Sequence, residues 1–482
     1  MHLFQRLIDI ADTAKNLNQF VEDNIISIYD YHEKHFAETV NSRQLVEDFI
    51  VNKGDILADL DFSFSHNRSF LVILYDIAAR FGLQGIERLE SVVKEHNLIL
   101  GERLEAAKQY LLNIRQNRDL VDRFPVILNK LQFSLENEED DEENVVLTLL
   151  NYIAFFIRNR LPERFLNQFL ELIRNGRRDA SYYLLTLDII GSVLTVNFLD
   201  SDRASEEIQD LIDKYLGREK PKHIPRDGFL IESNTEYAVM LTDIDRRFET
   251  IRQVSVNLYS PSNSTFYSLG KGVTVLENEN QLFAYMYSYG KMHNKKLQTA
   301  FPLLPKRIFS ENINIIDWGC GQALATMSYC DYLVRNGYSI NIEEAVLVDP
   351  SALAVMRGAL NIKTFSNSTQ ITTINKGFDG ITEADFIRDK RVAKLHLFSN
   401  ILDVQHFSLQ HLITIVESNF PGVNYFICVS PCINDERNGR IDAFENYFSE
   451  NQSYEHLGDF KNEAGSWINS WSRYVRVFKV KI

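Results

Sequence analysis

The hydrophobic residues in the first half of the chain recur at the spacing of an α-helix. Apolar residues three and four positions apart form one face of a helix, and this pattern covers 45–51, 70–81, 104–112, 145–157, 165–173 and 208–216. Proline, which interrupts helices, occurs within residues 1–217 only at Pro125 and Pro162. The pattern predicts an all-α domain over residues 1–217, and stacked helix pairs are one arrangement that fits it.

The pattern changes after residue 217. Residues 220–225, Lys-Pro-Lys-His-Ile-Pro, are polar and twice interrupted by proline, which predicts a linker. The next segment, residues 226–300, is predicted to be a small α+β connecting segment. Its two strands and one helix are expected at 237–242, 253–259 and 281–300. The helix carries four aromatic residues, which either line a ligand pocket or belong to an ordinary core: Phe283, Tyr285, Tyr287 and Tyr289.

Short apolar runs alternate with helical patterns over residues 301–482. Runs typical of buried parallel strands lie at 313–317, 344–350, 371–375, 394–398 and 424–429. A further β-rich stretch ends the chain at 474–480. Strands separated by helices predict an α/β domain with a mostly parallel sheet. Ligands of such sheets bind at the carboxyl ends of the strands.

The first of these strands leads into a glycine-rich turn, Asp317-Trp318-Gly319-Cys320-Gly321-Gln322-Ala323, and a helix is expected from Leu324. Gly319 and Gly321 allow a tight turn and a close approach of the backbone to a ligand. The dinucleotide fingerprint G-x-G-x-x-G fails, because Leu324 occupies the third glycine position. A carboxylate at Asp317 suits a ligand with cationic groups better than a pyrophosphate. The turn therefore favours a cationic, nucleoside-like ligand.

This turn resembles motif I of the class I S-adenosylmethionine (SAM) dependent methyltransferases, acid-x-Gly-x-Gly-x-Gly, with Ala323 in place of the last glycine. The next strand ends in Asp349 and Pro350, and in that family an acid at this position accepts both ribose hydroxyls. The two acids are 349 − 317 = 32 residues apart, which is long for the family, and a polar loop at 336–339 accounts for the extra length. The resemblance covers about residues 301–482.

The resemblance implies a Rossmann-like methyltransferase domain with SAM as its cofactor. It assigns cofactor binding to residues that follow the first four strands: Asp317, Gly319, Cys320, Gly321, Gln322, Asp349, Pro350, Phe378, Asp379 and Ser399. Methyltransferases that act on the amines of nucleic acids often carry Asn or Asp, two prolines and an aromatic residue after strand four. Here Asn400 stands without the prolines or the aromatic residue, so base methylation of that type is doubtful. Asn400 remains the predicted catalytic residue, because its amide can accept a hydrogen bond from a nucleophile's N–H.

Composition limits the remaining possibilities. The formal net charge of −15 counts against generic DNA binding, because neutralising phosphates requires clustered cations. No apolar run reaches the roughly 18 residues that span a bilayer, and no signal-peptide pattern occurs, so we expect a cytoplasmic protein that does not enter a membrane. The four cysteines all lie within 301–482 and include no C-x₂-C pair, which favours reduced thiols and no metal site.

Three functions fit these observations. The first is a SAM-dependent methyltransferase acting on an unidentified macromolecular acceptor, a protein or an RNA, with the helical region recruiting that substrate or a partner protein. The second is a catalytically silent SAM-binding scaffold in a protein complex. The third is a nucleotide-binding regulatory protein of doubly wound fold, which the failure of the dinucleotide fingerprint weakens.

Overall fold

The computed structural model describes residues 3–34, 43–112, 114, 116–137, 142–158, 162–198, 201–216, 231–232, 235–242, 244–386, 392–461 and 471–482. The predicted linker at 220–225 and the centre of the acidic run at 136–143 lie outside these residues. The chain divides into two compact units. One comprises Met1–Asp23, Ala37–Lys222 and Ile433–Asp435, and the other comprises Asn24–Phe36, His223–Cys432 and Glu436–Ile482.

The described residues of the first unit form helices joined by turns and irregular segments, with no strand among them. Its helices are α1 (Leu3–Ile10), the first half of α2 (Ala14–Lys34), α3 (Arg43–Asn52), α4 (Gly54–Ala58), α5 (Ser65–Phe81), α6 (Ile86–Glu95), α7 (Glu102–Leu111), α8 (Asn117–Asp122), α9 (Phe124–Asn137), α10 (Glu142–Arg158), α11 (Glu163–Arg178), α12 (Tyr183–Thr186), α13 (Asp188–Val193) and α14 (Ser201–Leu216). Aromatic rings pack its core, with Phe156 stacked on Phe169 at 4.0 Å between centroids. The predicted all-α character of this region is confirmed.

The second unit begins with helices that precede the sheet: α15 (Glu236–Met240), α16 (Phe248–Leu258), α17 (Asn263–Ser268), α18 (Glu279–Ser288) and α19 (Gly290–Ala300). Short 3₁₀ turns lie at Gly270–Gly272, Phe301–Leu303 and Lys306–Phe309. The predicted strands at 237–242 and 253–259 are wrong, because these residues lie largely in α15 and α16. Ser255 of α16 is buried, and so are the apolar residues Phe248, Ile251 and Val254. Their three-residue spacing is helical, and the alternating valines of 253–259 imitated a strand.

The predicted helix at 281–300 is two helices, α18 and α19, separated at Tyr289.

A seven-stranded sheet forms the centre of this unit, in the order β3-β2-β1-β4-β5-β7-β6. The strands are β1 (Ile313–Trp318), β2 (Ile342–Val348), β3 (Gln370–Ile374), β4 (Ala393–Ser399), β5 (Val423–Ser430), β6 (Glu455–Lys461) and β7 (Tyr474–Lys481). Neighbours among β1 to β5 are parallel, and β7 is antiparallel to both β5 and β6. The predicted α/β domain with a mostly parallel sheet is confirmed.

Helices connect the strands: α20 (Leu324–Arg335), α21 (Ala352–Phe365), α22 (Leu409–Asn419) and α23 (Asp435–Ser449), with 3₁₀ turns at Phe378–Gly380 and Glu383–Asp385. One face of the sheet buries aliphatic residues such as Ile315, Leu347 and Leu397 in a core shared with α19, α20 and α21. The alternate residues Trp318 and Phe398 stack on each other at 5.7 Å. Side chains are thus buried on both faces, as in parallel sheets generally.

No described helix is both long enough and apolar enough to cross a membrane.

Candidate functional site

A cleft lies at the carboxyl ends of β1 to β4, where the strand order reverses between β1 and β4. An open α/β sheet presents its ligand crevice at this point, since successive connections leave in opposite directions. The cleft has a volume of about 880 Å³ including its open mouth. Its walls are Gly272, Val273, Thr274, Leu276, Tyr285, Gly319, Gly321, Val348, Asp349, Pro350, Lys376, Gly377, Phe378, Ser399, Asn400, Ile401, Val404, His406 and Phe407.

The glycine turn after β1 has left-handed backbone at three alternate positions, Gly319 (φ +60°), Gly321 (φ +50°) and Ala323 (φ +61°). A Cβ on Gly319 would lie 2.8 Å from the Ile401 side chain, so both conformation and space require glycine there. Ala323 adopts the left-handed conformation despite its Cβ, at a cost of roughly 1–2 kcal/mol. This left-handed conformation explains why motif I, which the turn resembles, has glycine at this position.

Asp317, at the end of β1, lies beneath this turn and does not line the cleft. Its Oδ2 accepts hydrogen bonds from the Thr326 backbone N–H (3.1 Å) and hydroxyl (2.7 Å) in the first turn of α20. Burial, aided by the charge of Asp349, raises the pKa of Asp317 to about 7. Through these two hydrogen bonds the side chain holds the glycine turn against the first turn of α20.

Asp349, directly after β2, faces the same turn from the cleft. Its Oδ2 accepts from the Gly321 backbone N–H at 2.9 Å, and its Oδ1 accepts from the Ser351 N–H at 2.8 Å. A carboxylate has about four lone-pair sites, so it can hold both N–H groups and still accept hydroxyls from a ligand. The ends of β1 and β2 are therefore joined through the carboxylate to which the resemblance assigns the ribose hydroxyls.

Phe378 and Phe407 line the cleft beyond β3, with ring centroids 4.5 Å apart. Phe407 belongs to the segment 400–408 that follows β4, which we call the wall loop. The buried guanidinium of Arg440 donates to the carbonyls of Leu402 (2.9 Å) and Phe407 (2.8 Å). These bonds hold the wall loop at both its beginning and its end.

The second half of α2 also contacts the wall loop. Asp30 Oδ2 accepts from the Ser408 hydroxyl at 2.7 Å, and its Oδ1 accepts from the Leu409 N–H at 3.2 Å, where α22 begins. Arg440 lies between the rings of Phe407 (4.8 Å) and Tyr29 (5.8 Å). Residues far upstream in the sequence thus support one wall of the cleft.

At the end of β4, Ser399 and Asn400 meet His293 of α19. His293 Nδ1 lies 2.8 Å from Ser399 Oγ, and its Nε2 lies 3.1 Å from Asn400 Nδ2. The Tyr285 hydroxyl lies 3.4 Å from the same Nε2. Asn400 has left-handed backbone (φ +55°), and its N–H donates to Val429 O at 2.7 Å. This cluster forms the side of the cleft opposite Asp349.

The structure brings seven of the eleven predicted site residues into one cleft: Gly319, Gly321, Asp349, Pro350, Phe378, Ser399 and Asn400. Four do not line it: Asp317, Cys320, Gln322 and Asp379. Cys320 is buried, and burial raises its thiol pKa well above the ordinary value. Gln322 is buried and donates to Leu282 O at 2.8 Å, while exposed Asp379 accepts from the Ser408 N–H at 2.9 Å. Cofactor contact by these four stays a prediction.

The four aromatic residues predicted either to line a ligand pocket or to belong to the core differ from one another. Tyr285 lines the cleft, Phe283 and Tyr289 belong to the core, and Tyr287 is exposed.

The sequence did not indicate His293 or the wall-loop residues that follow Asn400. His293 lies only eight residues beyond Tyr285, but nothing local indicates that its ring reaches Ser399 and Asn400, more than a hundred residues later.

No protein-family profile matches the chain, and no curated protein matches it. Among solved structures, 125 chains match. One is a protein from Listeria monocytogenes assigned to the class I SAM-dependent methyltransferases, 13% identical, with 70% of this chain and 87% of that chain covered and a TM-score of 0.30. A second is a SAM-dependent methyltransferase from Clostridium acetobutylicum, 10% identical, with 42% and 100% covered and a TM-score of 0.28.

A third is the plantazolicin methyltransferase solved in complex with S-adenosylhomocysteine (SAH), 9% identical, with 48% and 97% covered and a TM-score of 0.29. Because the identities and TM-scores are low, function is not transferred from these matches. The chemistry of the cleft has to support a function by itself.

Proposed function

We propose that the chain is a SAM-dependent methyltransferase that binds its cofactor in this cleft and acts on a macromolecular acceptor. The observation that carries the proposal is the Asp349 carboxylate, joined to the glycine turn and facing Ser399 and Asn400 across one cleft. A carboxylate accepts ribose hydroxyls, and the left-handed glycines admit close approach to the backbone. The residues present therefore fit SAM, and neither phosphate-binding glycine spacing nor a metal site is needed.

Bound SAM supplies an electrophilic methyl group, and its transfer depends mainly on the alignment of the nucleophile. In this proposal Asp349 holds the ribose, Gly319 and Gly321 approach the cofactor through their backbone, and Phe378 flanks it. Ser399 and Asn400 face the acceptor, with the amide of Asn400 positioning a nucleophile that bears an N–H.

The helical first unit is proposed to recruit the acceptor or a partner protein. None of the described residues that line the cleft comes from this unit, so we assign it no step of the reaction.

The cofactor is tested with Asp349→Ala. A hydrogen bond to a charged group contributes about 1.5–3 kcal/mol, so SAM affinity measured by calorimetry should fall about 10- to 100-fold at roughly 1.4 kcal/mol per decade. Asp349→Asn keeps one carbonyl acceptor and should lose less. Equal SAM affinity in wild type and both variants would remove Asp349 from the site, and no binding by folded wild type would end the proposal.

Catalysis is tested with Asn400→Ala and methyl-labelled SAM added to a cell lysate. Asn400→Ala should preserve SAM affinity and lower label incorporation, because an interaction made in the transition state is lost. If wild type binds SAM but no labelled macromolecule depends on its presence, the protein is the silent scaffold instead.

A further inference from the structure

His293 joins the residues on the acceptor side of the cleft without lining the cleft itself. Its side chain is buried at 5% exposure. Both ring nitrogens have polar neighbours, Ser399 Oγ at 2.8 Å from Nδ1 and Asn400 Nδ2 at 3.1 Å from Nε2. Both neighbours line the cleft, as does Tyr285. The imidazole therefore connects the two polar groups assigned to the acceptor.

The hydrogen atoms of this cluster follow from its charge state. Burial, aided by nearby Lys296, lowers the pKa of His293 to about 3, so the ring is neutral around pH 7 and has one N–H and one lone pair. An amide nitrogen only donates, so Nε2 accepts from Asn400 Nδ2. The ring proton then lies on Nδ1 and is donated to Ser399 Oγ.

The other end of the Asn400 amide is unusual. Its Oδ1 is buried and has no hydrogen-bond partner among the described residues. A buried acceptor without a partner costs about 1–3 kcal/mol, and such an exception requires an explanation. The backbone of Asn400 is already fixed by the left-handed turn and the bond to Val429. His293 fixes the remaining freedom, the direction of the amide.

We propose that His293 is a positioning residue of the methyl-transfer site. Its Nδ1–H tautomer holds the nitrogen of the Asn400 amide toward the ring. This leaves Oδ1 as the acceptor for a donor hydrogen on the nucleophile, and it leaves the Ser399 hydroxyl proton available to donate. The inference rests on the proposed function for its catalytic meaning and names one requirement of the acceptor atom: it carries a hydrogen that it can donate to Oδ1.

Three substitutions separate positioning from packing. His293→Gln places an amide near the former Nε2 and retains an acceptor for Asn400. His293→Asn is shorter and retains a donor near the former Nδ1, toward Ser399. His293→Leu fills the space without polar groups.

All three variants should bind SAM by calorimetry within about threefold of wild type, because Asp349 and the glycine turn are unchanged. Methyl incorporation from labelled SAM into lysate macromolecules should fall about tenfold or more in His293→Leu, the effect of one lost hydrogen bond. His293→Gln should retain more activity than His293→Asn, with the loss in kcat and little change in KM for SAM. Equal activity in the Gln and Leu variants would show a packing role and overturn the proposal.

Histidine ¹⁵N spectroscopy of the full-length wild type tests the tautomer without any acceptor and without requiring the Leu variant to fold. The His293 signals, assigned through His293→Gln, should show a protonated Nδ1 and an unprotonated Nε2 that do not titrate between about pH 5 and about pH 8. An Nε2–H tautomer would reverse the amide and overturn the inference. Failure of wild type to bind SAM would end the proposed function while leaving the tautomer result intact, so the two failures are distinguishable.

Discussion

The two sides of the cleft are built in different ways. The side proposed to bind the cofactor, called the cofactor side, consists of the turn at 317–323 and Asp349, two short segments that end neighbouring strands. The side proposed to face the acceptor, called the acceptor side, combines His293 from α19, the wall loop after β4, and Asp30 from α2. A side made at strand ends is fixed by sheet register, whereas a side made from distant segments is fixed only by their packing. Residues that position the groups of a site, such as His293 and Asp30, can therefore lie far in sequence from the motif that indicates the site.

Each side also buries a titratable group, and the two pKa values shift in opposite directions. Asp317 beneath the cofactor side has a pKa raised to about 7. His293 on the acceptor side has a pKa lowered to about 3. Both shifts arise mainly from burial, which favours the neutral form of either group. Stability should therefore depend on pH with opposite signs at the two sides.

The largest expected effect is the opposite pH dependence of the free energy of unfolding at the two sides, measured with Asp317→Asn and His293→Gln. Folded Asp317 retains a proton that the unfolded chain loses above its ordinary pKa, so its contribution to stability is lost as pH rises from about 4 to about 7. Neutral folded His293 contributes stability that is lost as pH falls from about 6.5 to about 3. Each slope is about 1.4 kcal/mol per pH unit, which accumulates to about 4–5 kcal/mol.

Urea titrations followed by tryptophan fluorescence check this, because all three tryptophans belong to the second unit. Relative to wild type, Asp317→Asn should become more stable as pH rises, and His293→Gln should become more stable as pH falls. Buried His396, whose pKa is also lowered to about 3, remains in both variants and cancels in the comparison. If the stability of the two variants changed with pH in the same direction relative to wild type, the opposite pKa shifts of Asp317 and His293 would be contradicted.

A smaller effect should come from the packing behind the cofactor side. A Cβ on Gly358 of α21 would lie 3.0 Å from Ala323 Cβ and 3.1 Å from both Ala323 N and the Gln322 carbonyl carbon. Alanine is favoured by about 1 kcal/mol in a helix, but overpacking costs about 1–3 kcal/mol, and here the obstacle is the backbone of the turn. Gly358→Ala should lower both stability and SAM affinity.

Gly380→Ala is the matched control, because nothing lies within 4 Å of its added Cβ, and its change should stay within about 0.5 kcal/mol. If Gly358→Ala raised stability and left SAM affinity unchanged, the glycine turn would be shown to shift without disturbing the site, and the expectation would be wrong.

The smallest expected effect concerns the support of the acceptor side by α2. Asp30→Ala removes the acceptor for the Leu409 N–H at the start of α22, and losing a helix N-terminal acceptor typically costs about 1 kcal/mol. Urea titration should show this loss, while calorimetry should show unchanged SAM affinity. Asp23→Ala on the same helix is the control, since Asp23 accepts only an exposed bond from Gln19. If Asp30→Ala and Asp23→Ala were equally stable, the Asp30 contact would not stabilise the wall loop.

Much of the second unit could be predicted because its signals are local. An apolar run ending at Asp317 and the glycine spacing after it predict a strand and then a helix from Leu324. The structure ends the strand one residue later, at Trp318, and begins the helix at Leu324. The strands predicted at 237–242 and 253–259 were wrong for a related reason. Short apolar windows fit either period, and the buried positions of α16 show a helix only once its partner surface is known.

The sequence by itself determined the all-α first region, the mostly parallel sheet, and the seven predicted residues that line the cleft. The helices and the sheet follow from hydrophobic periodicity and turn chemistry. The seven cleft residues follow from the resemblance to the methyltransferase motifs, together with the rule that parallel strands present their carboxyl ends at one edge. Tertiary structure alone decided that Asp317 lies beneath the turn and that His293 joins Ser399 to Asn400. It also decided that Asp30 supports the wall loop. The physical reason is that burial and hydrogen-bond partners of a side chain depend on packing between segments distant in sequence, which no local pattern encodes.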